Sequence, residues 1–171
     1  MVQSGPKWNQ VEEAPKAAIP VEAPRGIFPA RVDEKGRIKL PSAFREYIAS
    51  FGEKKVFVTS LDVRTARIYP SSIWKDNQNF FEEFTEDPDA AEDVAFIAND
   101  NGADGDMDEQ GRVLIPQELR RQLGIENQPV WLDCYKGSIN IYSKDIYEDR
   151  TRRAIQGLPE KVRALRKKGL K

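Results

Sequence analysis

The sequence predicts an α+β fold, mainly β, in which two tandem copies of one small unit close on each other as an intrachain pseudo-dimeric barrel with short helices. Three observations predict it. One phrase occurs twice, as Val32-Asp33-Glu34-Lys35-Gly36-Arg37-Ile38-Lys39-Leu40-Pro41 and as Met107-Asp108-Glu109-Gln110-Gly111-Arg112-Val113-Leu114-Ile115-Pro116. The likeness continues at a period of roughly 75 residues: Phe44, Arg45 and Ile48 answer Leu119, Arg120 and Leu123, and later Ile68-Tyr69-Pro70 answers Ile141-Tyr142-Ser143. One copy alone, about 45 residues of short strands and a single small helix, buries too little apolar surface to offset its chain entropy, so it needs the other.

Each element has a local cause. Residues 1–24 carry Pro6, Pro15, Pro20 and Pro24 among small and polar residues, with Trp8 the one large group, and the composition is that of a flexible extension. The first unit, 25–86, contains the first phrase. Asp33 at the head of its polar run bonds nearby backbone N–H groups and Gly36 at the end admits positive φ, which makes a turn that Asp108 and Gly111 repeat. Alternation follows, with Ile38 and Leu40 on one side against Arg37 and Lys39, and Val113 and Ile115 against Arg112 and Leu114. Pro41 and Pro116 suit the first turn of a helix, where a missing N–H costs nothing. Phe44, Ile48 and Phe51 make an apolar stripe ending at Gly52, and Leu119 with Leu123 makes another ending at Gly124. Val56-Phe57-Val58-Thr59 and Val130-Trp131-Leu132 have strand composition, and pair with those around Arg67-Ile68-Tyr69 and Ile139-Asn140-Ile141 through turns at Asp62 and Lys136-Gly137.

From Ser71 to Phe84 the pattern is helical, with Ser71 or Ser72 as cap and Ile73, Phe80 and Phe84 near one face. Residues 87–105 form an acidic helical linker whose helix starts at Asp87-Pro88 and uses Ala91, Val94, Ala95 and Ala98. The run Asn99 to Asp106 has the composition of a solvated turn. Counted from Asp100, its twelfth position is Gly111, where a calcium loop needs a bidentate Glu. The second unit, 106–150, ends in a helix through Ile146, Tyr147 and Arg150, which Gly157-Leu158-Pro159 breaks. The basic tail, 151–171, spaces Val162 and Leu165 among Lys161, Arg163, Arg166, Lys167 and Lys168, as either a phosphate-gripping arm or a solvated helix.

Bulk numbers narrow the function classes. The chain has 171 residues, of which 32% are charged and 39% hydrophobic, room for one medium domain or two small ones. It holds no histidine, which excludes Ser-His and Cys-His catalysis and most zinc sites. The one cysteine, Cys134, is expected as a small buried hydrophobe in a strand. No cofactor or metal is expected. No apolar run approaches the roughly 20 residues of a membrane span, and the opening residues lack a signal-peptide pattern, so the expectation is a cytoplasmic protein with no membrane partner. A net charge of −1 and a pI of 5.7 do not advertise a nucleic-acid binder. Acid, however, is concentrated between Glu82 and Glu109, while the arginines of the two phrases and the tail after Arg150 are basic, and such segregation permits a basic face on a near-neutral protein.

The paired Asp-Glu-x-Gly-Arg turns, each followed by a Pro-led helix, resemble the AbrB-type swapped-hairpin fold, and their tandem arrangement resembles the MraZ family of bacterial transcriptional regulators. Arg25-Gly26 ahead of the first turn, Ile68-Tyr69-Pro70 with Trp74, and Gly102-Ala103 ahead of the second turn match further motifs of that family, over roughly residues 25–147. The stretch from Asp108 to Ile125 also resembles the single unit of AbrB itself. Tyr142 and Cys134 depart from the pattern, standing where Trp and Gly are usual. The resemblance implies tandem AbrB-like units, double-stranded DNA as partner, no catalysis and a ring-shaped, nucleoid-associated homo-oligomer. It also implies direct repeats upstream of the division and cell-wall gene cluster as targets. It transfers a DxxxR signature to Asp33 with Arg37 and to Asp108 with Arg112. DNA contacts of AbrB relatives fall on Arg112, Arg120 and Arg121 and, through the internal repeat, on Arg37 and Arg45.

Arginine chemistry fits that implication. The guanidinium is always charged, and its planar fork pairs with a phosphate or with guanine O6 and N7. Asp33 and Asp108 are poor phosphate ligands, expected instead to hold each turn and orient its arginine. The bland alternative makes each Asp–Arg pair a staple and nothing more. Two other classes stand beside it. One is an AbrB-fold interaction module, such as an antitoxin-like partner, favoured by the long N-terminal segment. The other is an enzyme using Asp104, Asp106 and Asp108, disfavoured because those acids lie in a loop without a predicted pocket or a basic partner.

Overall fold

Turn residues and apolar alternation divide the chain into short elements. The computed structural model describes residues 22–171, so Trp8 and most of the expected extension lie outside the described residues. In chain order come β1 (Phe28–Arg31), β2 (Arg37–Lys39), α1 (Ser42–Ala49), β3 (Lys55–Thr59), β4 (Ala66–Pro70), α2 (Ser71–Glu83) and α3 (Pro88–Asp100). Then follow β5 (Ala103–Asp106), β6 (Arg112–Leu114), α4 (Gln117–Leu123), β7 (Pro129–Tyr135), β8 (Ser138–Ser143), α5 (Lys144–Ile155) and α6 (Leu158–Arg166).

The strands form an antiparallel six-stranded sheet, β1-β7-β8-β4-β3-β5, and a separate two-stranded ribbon, β2-β6. Each half of the chain completes the other. β1 leaves its own half to pair with β7, and β5 leaves its own to pair with β3. The halves meet at β4 and β8, where Arg67 faces Asn140, and at the ribbon, where Ile38 faces Val113. In both ladders the central pair joins residues that correspond in the two copies, so the registers describe one approximate twofold relation. Two domains on a string would share no strands.

Burial follows the alternation. Ile38, Val113 and Ile115 are fully buried and Leu40 nearly so, in one core with Phe44, Ile48, Ile68, Leu119, Leu132, Ile139 and Ile141. Cys134 packs against this core, and burial pushes its thiol up to about 11, as expected of an inert hydrophobe. Ser143 caps α5 by accepting from the Ile146 N–H at 3.3 Å, Asp87 caps α3 by accepting from Ala90 at 3.1 Å, and α4 stops at the left-handed Gly124.

Five expectations need correction. Neither Ser71 nor Ser72 caps α2, whose N-cap is Pro70 with no side-chain cap bond. Among the described residues the sheet ends in two unpaired edges, β1 and β5, and its pairing does not close into a barrel; its core face is covered by the ribbon with α1 and α4 instead. Six helices stand beside eight short strands among the described residues, and more residues are helical than extended, so the body is an α+β mixture rather than mainly β. The run expected as a solvated turn supplies β5, because edge pairing with β3 uses main-chain groups and leaves the acidic side chains in solvent. On α2 the inward face carries Trp74, with Ile73 and Phe81, while Phe80 is exposed. The cause is a second small core in which Trp74 stacks on Phe57 at 4.5 Å and lies 5.0 Å from Tyr69. That stack fixes the rotation of the helix.

Candidate nucleic-acid interface

Each repeated turn is built around one carboxylate. Asp33 Oδ1 accepts from the backbone N–H groups of Lys35 and Arg37, both at 2.9 Å, and Asp33 Oδ2 accepts from Arg37 Nε at 3.1 Å. Asp108 does the same with Gln110 at 2.9 Å, Arg112 N at 2.8 Å and Arg112 Nε at 2.7 Å. Backbone bonds close both turns, Gly36 N to Asp33 O at 3.0 Å and Gly111 N to Asp108 O at 2.9 Å. Only the Nε edge of each guanidinium is used. The terminal Nη groups of Arg37 and Arg112 have no hydrogen-bond acceptor among the described residues, and each side chain is 28% exposed.

These bonds hold both carboxyls below the ordinary carboxylate range, chiefly through the backbone N–H of Arg37 or Arg112, against a smaller opposing effect of burial. A depressed carboxylate contributes stability that is present above its unfolded value and is lost as pH falls through its folded value. The turns should therefore stay locked at pH 5 and open only below about pH 4. Melting wild type against an Asp33→Asn, Asp108→Asn variant checks this: the wild-type advantage should persist down to that pH and then vanish. A difference that disappears near neutral pH would contradict it.

The ribbon brings the two turns together. Arg37 pairs with Leu114, Ile38 with Val113 and Lys39 with Arg112, so the face opposite the core displays Arg37, Lys39 and Arg112 around Leu114, which is 57% exposed. Lys39 and Arg112 are directly opposed like charges, which destabilises a free ribbon. Leu40 N donates to Gly111 O at 2.9 Å and Ile115 N to Gly36 O at 3.0 Å, locking each strand to the opposite turn.

The helix arginines are placed differently from one another. Arg45 lies across Gly111 of the other turn, its Nη1 3.5 Å from Gln110 O. Arg120 lies across Gly36 in the corresponding way, but its side chain is only 13% exposed, its Nη1 donates to Ile115 O, and Glu126 is 3.7 Å from its Nε. Arg120, expected beside the reading arginines, is thus mostly enclosed and committed to the protein. Arg121 is 59% exposed with an ion pair to Glu118 at 3.3 Å. The sequence pattern does not mark Lys39 and Leu114 as members of this site. The alternation already put Lys39 on the Arg37 face and Leu114 on the Arg112 face, whereas the pairing between the two halves that sets Leu114 among three cations leaves no local signal.

Among known proteins, the chain is 37% identical over 106 residues to the transcriptional regulator MraZ of Acidobacterium capsulatum, covering 62% of this chain and 73% of that protein. The chain belongs to the MraZ family. Further MraZ regulators match, from an Anaeromyxobacter strain at 31% over 76% of this chain and 90% of that protein, and from Lachnoclostridium phytofermentans at 35% over 70% and 81%. A family model described as "MraZ protein, putative antitoxin-like" matches residues 103–165. MraZ proteins are transcriptional regulators and not enzymes. Among the described residues, no helix is long and apolar enough to cross a membrane, and no group of three or more acidic or cysteine side chains is placed to hold a metal ion.

Proposed function

We infer that this MraZ-family chain is a sequence-specific DNA-binding regulator whose β2-β6 ribbon enters the major groove of double-stranded DNA. One observation carries the reading: Arg37, Lys39 and Arg112 converge on one solvent face of a two-stranded ribbon, two of them directly opposed, an arrangement that a polyanion relieves. The major groove, about 12 Å wide, admits such a ribbon. Arg37 and Arg112 point free Nη forks at base edges or phosphates, Leu114 suits a thymine methyl, and Asp33 and Asp108 hold the forks in place. Arg45 and Arg121 reach flanking phosphates, and Arg120 holds the opposite turn.

In this reading the halves are tandem AbrB-like swapped-hairpin units, and chains assemble into a ring in the cytoplasm, at the nucleoid. Neighbouring chains engage successive direct repeats upstream of the division and cell-wall cluster, gaining affinity from effective concentration. Repeats spaced near one DNA turn, about 10 base pairs, present every ribbon with the same side of the duplex. Footprinting on DNA upstream of the chain's own coding region, with and without half a turn inserted between repeats, tests it. Protection should collapse in the insertion, and undiminished binding rules the arrangement out.

Lys39 serves the backbone rather than the bases. Lys39→Ala should weaken binding nearly equally on target and scrambled duplexes and lower the slope of log K against log salt by about one unit per ribbon. A loss confined to the target would reassign Lys39 to base reading. The matched family description and the exposed Ile155, Leu158 and Leu165 favour a second reading, a protein-interaction module of antitoxin-like type, which stable copurification of one partner with no DNA retention would support.

A further inference from the structure

Where β4 meets β8, Arg67 carries a buried Nε with no hydrogen-bond partner among the described residues. Buried charged donors are rarely left unmet. Arg67 lines a cavity of about 350 Å³ together with Arg64, Arg150 and Arg153. Asp149 engages two of these, Arg153 at 3.2 Å and Arg64 at 3.9 Å. Asp62, also on the wall, accepts at Oδ1 from Ser60 Oγ and from the backbone N–H groups of Arg64 and Thr65, and pairs with none of the four arginines. Arg67 and Arg150 therefore have no paired carboxylate among the described residues. Tyr142 stands beside them, its hydroxyl donating to Asp133 at 3.1 Å, and burial pushes its phenol up to about 12, so it stays neutral.

The charged cavity continues into an apolar one. Tyr135, Tyr142 and Arg150 belong to both, and the second, about 420 Å³, is walled by Tyr147, Ile155 and Leu158. None of these residues lies on the β2-β6 ribbon.

The geometry points to a second binding site, for a small phosphate monoester whose dianionic head sits between Arg67 and Arg150 and whose apolar body lies along Tyr147, Ile155 and Leu158. Two unpaired guanidiniums match the charge of the head, and Arg forks suit its oxygens. The ligand touches both halves of the chain, through β4 on one side and β8 with α5 on the other. The assignment is independent of the ribbon's proposed role.

Titration of the full chain with inorganic phosphate and with phenyl phosphate, at fixed ionic strength by calorimetry, tests it. Phenyl phosphate should bind about tenfold more tightly than inorganic phosphate, because its ring packs against the apolar wall. Arg67→Met should weaken both at least tenfold, and Arg150→Met, on an exposed helix surface, gives the same readout should the first variant fail to fold. An Arg37→Ala, Arg112→Ala protein should bind both ligands as wild type does. Four results overturn the site: binding no better than chloride, equal affinity for the two phosphates, retention in both Met variants, or displacement of phenyl phosphate by duplex DNA, which would give the cavity to a nucleic-acid backbone.

Discussion

Replacing Arg37 and Arg112 together by Ala should abolish sequence-specific retention of the target duplex while leaving the chain folded. The two arginines are diagonal neighbours on the ribbon, roughly 7–8 Å apart, close enough for both forks to fit one groove in the proposed reading. A good bidentate contact to a base is worth about 1–3 kcal/mol, and loss of two should cost at least about 30-fold in affinity for target over scrambled DNA. The fold should survive because neither arginine is a core residue and the backbone bonds from positions 35, 37, 110 and 112 to the two Asp Oδ1 atoms do not need the guanidinium. Fluorescence anisotropy on both duplexes, alongside a thermal melt, separates the two effects. Arg37→Lys with Arg112→Lys sharpens the test: charge remains, the planar fork does not, and scrambled DNA should be held while preference for the target falls. Wild-type specificity in the double Ala variant would leave the Asp–Arg pairs as staples and sink the assigned reading heads.

The largest expected loss of stability comes from Gly111→Val. Gly111 has φ +74°, where an L side chain costs about 1–2 kcal/mol and a β-branched one more. A Cβ there also collides with the Cδ of Arg45 from the other half, and the Gly111 carbonyl accepts the Leu40 N–H that locks the ribbon. Strain, steric overlap and a disturbed ladder act on one spot, so a loss of at least about 3 kcal/mol is expected, read as a shift in the denaturation midpoint. The milder Gly111→Ala apportions the causes. Combined with Arg45→Ala it should recover part of its loss, leaving the backbone strain behind. Strict additivity of the two changes would show that Arg45 does not crowd the turn.

Much of this was legible in the sequence because it is written in local periods. Asp and Gly at the two ends of each polar run gave the turns, alternation put Ile38 and Val113 inward and the arginines outward, and Ser143 and Asp87 marked helix starts. Pairing between residues that lie a whole repeat apart has no such period. That β2 meets β6, and that Arg45 and Arg120 each lie over the other half's glycine, depend on contacts far apart in sequence. The face of α2 was misjudged for a related reason, since Phe80 and Phe81 are equally apolar and only the Trp74–Phe57 stack decides which turns inward. β5 was hidden by its composition: acidic and glycine-rich, it is a strand solely because β3 offers it an edge.

The ribbon's two copies are no longer identical. Lys39 in one corresponds to Leu114 in the other, and across the ladder Arg112 faces a cation where Arg37 faces an apolar group. A ribbon of two identical strands would look the same read from either end, whereas the unlike strands of this one give it a head and a tail. Laid in a groove as proposed, such a ribbon has a compass heading along the double helix, which a symmetric pair lacks and which suits the proposed direct repeats.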